Sequence, residues 1–136
     1  MALRVQRSRI SKPGIPPGAV YVGRPSQWGN PAKIGEFYLV PGGTPVLVEN
    51  NFLAVDLFYE YCKRYARTDP KGFFDWVFPL IDKNLCCWCG TGDLCHADVL
   101  LYLSKVVKEV VGREDYLSRI SEGVKNWPTL SDFIKI

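Results

Sequence analysis

Cys87, Cys89, Cys95 and His96 place three thiols and an imidazole within ten residues, and Asp98 follows two positions later. Thiolate and imidazole are preferred zinc ligands, so these four groups could close a tetrahedral site. The spacing works against it. Alternate residues of a strand stand about 6.6 Å apart at Cα, whereas two sulfurs on one zinc lie only about 3.8 Å apart. The usual knuckles with two to four intervening residues are also absent. Zinc held by Cys87, Cys89, Cys95 and His96 is therefore the alternative reading of the cluster.

The leading reading puts Cys95 and His96 at a helix N-terminus, where unsatisfied N–H groups and the helix dipole favour negative charge. A thiolate would be stabilised there, and an anionic ligand group would be welcome. Gly90 and Gly92, on either side of Thr91, suit a close backbone approach to such a ligand. His96 is the only histidine of the chain, so chemistry that needs an imidazole near neutral pH must use it. Asp98 is a candidate general base or an acceptor orienting His96; a carboxylate in a first helical turn is also explained by the dipole alone. Cys62 and Cys86 read as small hydrophobes that fill space.

A second constellation, Arg24, Ser26, Trp28 and Asn30, leaves the end of an apolar strand, where open α/β sheets place their ligands. Arg can fork a phosphate, Trp offers a face to a base and Asn reads polar edges. The same residues also fit a proline-stiffened loop in which Trp28 plugs the core and Asn30 makes an Asx-turn.

These residues need a scaffold, and the hydrophobic pattern supplies one. Ala19 to Val22 is a short apolar run that reads as the first strand, and Phe37 to Val40 with Val46 to Val48 reads as a hairpin about the turn PGGTP. Asn50 or Asn51 caps a helix to about Arg67 with Val55, Phe58, Cys62 and Tyr65 on its core stripe. Asp69 and Pro70 stop it, and a shorter helix follows from about Gly72 to Leu80. Lys83 to Cys89 reads as a central strand, broken at GTGD before a helix beginning near His96 that lines Val99, Leu103, Val106, Val107 and Val110 along one face. The expected fold is a small single-domain α/β sheet, mixed but with parallel central strands, built on a strand, Gly-loop, helix unit. Residues 1–18 read as a basic Pro/Gly-rich arm and 19–112 as the domain. Residues 113–136 read as an extension packed on it, with at most one short helix and the anchors Trp127 and Phe133.

Residues 1–35 carry six basic side chains and no acid, against eleven basic and fourteen acidic in the remainder. Such polarity favours a phosphate-bearing or nucleic-acid partner at the N-terminal end, or a solvated arm. The start of the chain is too polar for a signal peptide, and no run is long and apolar enough for a membrane span. The five cysteines lack the dispersed spacing of a secreted disulfide framework. A soluble cytoplasmic protein with reduced thiols and no membrane partner is expected. Nothing in the sequence sets an oligomeric state.

PPGAVYVGRPSQWGNP (Pro16 to Pro31) and KNLCCWC with CHADVLLYL (Lys83 to Leu103) together closely resemble the domain of unknown function family 4326 of bacteria and phages. The second motif of that family runs as a strand with Cys-Trp-Cys, a variable turn, then Pro-Cys-His-x-Asp-Val-Leu. Cys87, Trp88, Cys89, Cys95, His96, Asp98, Val99 and Leu100 occupy those places, while Leu94 stands where a Pro is usual. The resemblance points to the location of a site and, by distribution, to nucleotide or nucleic-acid metabolism. The expectation is that the two constellations face one another across one pocket. A nucleotide-like or nucleic-acid phosphate ligand would lie between them, open to attack at a glycosidic or phosphate-linked centre by His96, Asp98 and Cys95. The rival is a zinc-stabilised binding module for nucleic acid or protein.

Overall fold

The computed structural model describes residues 2–7, 15, 17–88 and 93–134. Three short strands, β1 (Arg4–Gln6), β2 (Ala19–Tyr21) and the later Asn84–Cys87, form an all-parallel sheet with Asn84–Cys87 in the middle. The central strand is buried at Leu85, Cys86 and Cys87, which is what helices on both faces of a parallel sheet require. Val5 stands opposite Cys86 on one side and Val20 opposite Leu85 on the other.

Within the residues 1–18 expected to be an arm, Arg4–Gln6 is an edge strand, while residues 8–14 and 16 lie outside the described residues. Leu3 donates to Asn84 Oδ1 at 2.9 Å and accepts from Leu85 N–H at 2.8 Å, and Arg7 N–H reaches Cys87 O at 2.6 Å. Three residues are too few to carry a visible alternation. The strand exists because the central strand offers it a free edge.

The hairpin is present as β3 (Phe37–Tyr38) and β4 (Val46–Leu47), antiparallel and separate from the main sheet. Val48 and Ala32 form a small cluster with Ala54, against which Tyr38 packs, and this seats the hairpin on the first helix. That helix, α1 (Asn51–Thr68), starts at Asn50, whose side chain accepts from Leu53 N–H at 2.9 Å. Its buried face is Ala54, Val55, Phe58, Tyr59, Cys62 and Ala66. Asp69 ends α1 and caps α2 (Pro70–Val77) by accepting from Gly72 N–H at 3.0 Å. A 3-10 turn, Phe78–Leu80, leads to the central strand, β5 (Asn84–Cys87).

α3 (His96–Val110) buries Val99, Leu100, Leu103, Val107 and Val110 against the core. The tail holds more structure than expected: α4 (Tyr116–Gly123) and α5 (Leu130–Ile134) follow, separated by a 3-10 turn. Ile120, Val124 and Leu130 join the main core, and Trp127 stacks on Tyr59 at 6.2 Å. Burying each such aliphatic side chain stabilises the fold by about 1.5–3 kcal/mol, so the tail contributes to the core. No helix among the described residues is long and apolar enough to cross a membrane. Because β2 and β5 run parallel, their C-terminal ends open on the same edge, and there the chain enters the Arg24 loop and the start of α3.

Candidate functional site

β2 passes through buried Val22 and Gly23 into two successive turns, closed by Ser26 N–H on Gly23 O at 2.9 Å and Gly29 N–H on Ser26 O at 3.0 Å. Tyr21 Oη donates to Arg24 O at 2.7 Å, and the Arg24 guanidinium donates to Asn30 O at 3.3 Å. A β carbon at Gly29 would stand 3.0 Å from Arg24 Cα, so any larger residue there would push the loop open. Arg24 is exposed, and the peptide bond after it is cis.

On the opposite wall α3 begins at Cys95. Its thiol takes the capping position usually filled by Ser, Thr, Asp or Asn, with Ala97 N–H at 3.5 Å from Sγ. Asp98 completes the capping box, its Oδ2 accepting from Cys95 N–H at 3.1 Å. Its other oxygen meets Arg4 Nε at 3.1 Å, with the Arg4 side chain only 8% exposed and that of Asp98 30%. A second Arg4 nitrogen donates to Asp93 O at 2.6 Å, and Asn51 Nδ2 donates to Leu94 O at 2.6 Å from the α1 side. The approach to α3 is thus tied to β1 and to α1 at adjacent residues.

Burial opposes the charge on Arg4, yet Asp98, Cys95 and Cys87 together hold its pKa above the ordinary value. Asp98 responds differently. Burial raises its carboxyl above the usual range by more than Arg4 and the Cys95 N–H lower it, so the ion pair only partly offsets the desolvation of the carboxylate.

His96 is buried, with Nε2 2.8 Å from Val22 O and the Phe58 ring edge-on at 5.2 Å. Burial lowers its pKa by more than the contact with Val22 raises it, so the ring is neutral at neutral pH. A carbonyl only accepts. The proton therefore sits on Nε2, and the Nδ1 lone pair faces Cys95 Sγ at 3.5 Å. Cys87 Sγ lies 3.2 Å from the same sulfur.

A cavity of about 290 Å³ joins the two walls, with Arg24, Asn51, Cys87, Trp88, Cys95 and His96 among its lining residues and no carboxylate among the described residues that line it. The structure thus brings Arg24, Asn30, Cys95 and His96 to one cleft. It leaves Ser26, Trp28 and Asp98 off the lining.

Trp28 takes the packing course instead of offering a stacking face. Its indole N–H donates to Trp76 O at 2.8 Å, and Trp76 Nε1 donates back to Gln27 O at 3.1 Å, clamping the loop to α2. Ser26 Oγ accepts from Trp28 N–H at 3.3 Å within the turn. Asn30 lines the cavity, but its Nδ2 donates to Ala54 O and its Oδ1 accepts from Ala32 N–H, both at 2.9 Å. It holds backbone, and its Asx-turn shapes the cleft. Asp98 lies off the lining, with its carboxylate on Cys95 N–H and Arg4.

Cys89, Gly90 and Gly92 lie outside the described residues. Among the described residues no group of three or more His, Cys, Asp or Glu is found in an arrangement that could hold a metal ion. A zinc site would draw on Cys87, Cys95 and His96 Nδ1 together with Cys89.

The chain matches the family described as Domain of unknown function (DUF4326) over residues 5–106. It belongs to that family. The match spans every lining residue of the cavity and stops short of Arg4 and the C-terminal helices. No curated protein and no solved structure matches the chain.

Four residues at the site fall outside the two constellations read from the sequence, although Trp88 stands in the family motif and Asn51 is a candidate helix cap. Trp88, 39% exposed, is the aromatic on the lining. Arg7 sits over it at 4.8 Å and over Tyr21 at 4.6 Å. The contacts of Arg4 and Asn51 were hidden, because their partners are 94 and 43 positions away in the chain.

Proposed function

We propose that this domain binds a small phosphate-bearing, nucleotide-like ligand in the cleft between Arg24 and the start of α3. One observation carries the reading: the cleft joins an exposed guanidinium to the N-terminal residues of α1 and α3, and among the described residues no carboxylate lines it. A cation and helix N-termini converging on one volume favour an anion, and phosphate suits the fork of an arginine. The volume, at the low end of ligand pockets, suits a mononucleotide or a fragment of one better than a dinucleotide. Trp88, steadied by Arg7, supplies the planar face that the sequence had assigned to Trp28.

Catalysis at a glycosidic or phosphate-linked centre is a second reading, favoured by the 3.5 Å approach of Cys95 Sγ to His96 Nδ1. In it the thiol is the nucleophile and neutral His96 takes its proton through Nδ1.

A thermal-shift panel of inorganic phosphate, ribose 5-phosphate, nucleoside 5′-monophosphates and a single-stranded oligonucleotide tests the binding. A ligand present at about 100 times its Kd adds roughly 2.7 kcal/mol to stability. A shift with nucleoside monophosphates is expected, and no shift with any member would remove the proposal. A shift with the oligonucleotide alone would move the ligand to nucleic acid.

A further inference from the structure

We propose that Cys87 and Cys95 form a peroxide-sensitive dithiol, a modification site independent of the ligand assigned to the cleft. Their sulfurs lie 3.2 Å apart, so a disulfide at about 2.05 Å needs a closure of only about 1.2 Å. The two residues end β5 and cap α3, eight positions apart in the chain. Both thiols are buried, yet both line the cavity of about 290 Å³, which admits a molecule as small as hydrogen peroxide. Cys86 alternates to the other face of β5 and is not on that lining.

Cys95 is the sulfur placed to react first. His96 Nδ1, 3.5 Å from Cys95 Sγ, is placed to take its proton, and Ala97 N–H faces the same sulfur at 3.5 Å. The thiolate attacks one oxygen of the hydroperoxide: the S–O bond forms, the O–O bond breaks, and water or an alcohol leaves with a proton. Sulfur loses two electrons and the peroxide gains them. The Cys87 thiol, whose sulfur lies 3.2 Å from that of Cys95 in the reduced pair, then attacks the sulfenic sulfur. The S–S bond forms, the S–O bond breaks, and the hydroxyl leaves as water with the Cys87 proton. Oxidation withdraws the Cys95 sulfur from both His96 and the α3 cap, and a dithiol reductant reverses it.

The test titrates the full chain with hydrogen peroxide, counts free thiols, and maps the bond without reduction after cleavage before Asp93 and after Trp88. The proposal expects five thiols to fall to three, and the peptide ending at Trp88 to remain joined to the peptide beginning at Asp93 until dithiothreitol is added. The joined species should vanish in Cys87→Ser and survive in Cys86→Ser. Five thiols retained at saturating peroxide would overturn the proposal. So would a bond from the Asp93 peptide to Cys89, or one that persists in Cys87→Ser.

Discussion

His96 Nε2 lies 2.8 Å from the backbone oxygen of Val22, a residue 74 positions earlier in the chain. This contact anchors the start of α3 to the end of β2 and decides the tautomer, since the only hydrogen of the neutral ring must lie on Nε2. What faces Cys95 is then a lone pair on Nδ1.

The same contact sets a pH dependence. Burial holds the His96 pKa below its unfolded value of 6.5, so between the two values the unfolded chain binds a proton that the folded chain does not. Stability is fully present above pH 6.5 and is lost as pH falls towards the folded value. Urea midpoints between pH 5.5 and 7.5 should decline on the acid side, and His96→Gln should flatten the decline. An unchanged slope in the variant would contradict the assignment. Asp98, raised by burial, contributes with the opposite sign, and the paired comparison removes its contribution.

Arg4→Ala should cost about 1–3 kcal/mol in urea unfolding at pH 7, because it leaves a partly buried carboxylate without its cation. Part of the loss should return as pH falls and Asp98 protonates. A variant within about 0.3 kcal/mol of wild type at pH 7 would show the pair to be incidental.

Trp28→Phe removes the indole N–H from Trp76 O and should lower stability by about 1 kcal/mol. Ligand affinity of the folded variant should be unchanged. A large loss of affinity at preserved stability would restore Trp28 to the site.

Metal content separates the two sequence readings of the cysteine cluster. The anion-site account expects chelator-treated protein to keep its urea midpoint, and expects Cys95→Ser to fold, because a hydroxyl caps a helix at least as well as a thiol. About one zinc per chain, with a sharp loss of stability on its removal, would favour the metal-bound module.

Local signals exposed most of the frame. The apolar stripe of α1 with its Asn50 cap, the hairpin about PGGTP and the buried run of β5 each rest on neighbours within one element. So does the α3 start, because the Cys95 and Asp98 capping box spans only four residues. β1 was hidden because Arg4–Gln6 is too short for a pattern and depends on pairing with partners 81 positions later. The C-terminal helices were hidden because α4 has no side-chain cap, although Tyr116, Ile120 and Val124 stand at helical spacing. Trp28 could be read as a stacking face or as a core plug for a similar reason, because only the distant Trp76 carbonyl decides between them.

The most direct measurement is a calorimetric titration of wild type and Arg24→Ala with a nucleoside 5′-monophosphate and with the same nucleoside lacking the phosphate. The account predicts one site per chain for the monophosphate and much weaker binding of the bare nucleoside. It also predicts a loss of about 10- to 100-fold in Arg24→Ala, the scale of one charged hydrogen-bonding partner. Equal affinity for both ligands, an unaltered Kd in Arg24→Ala, or no binding up to about 1 mM, where the standard free energy is only about −4 kcal/mol, would contradict it.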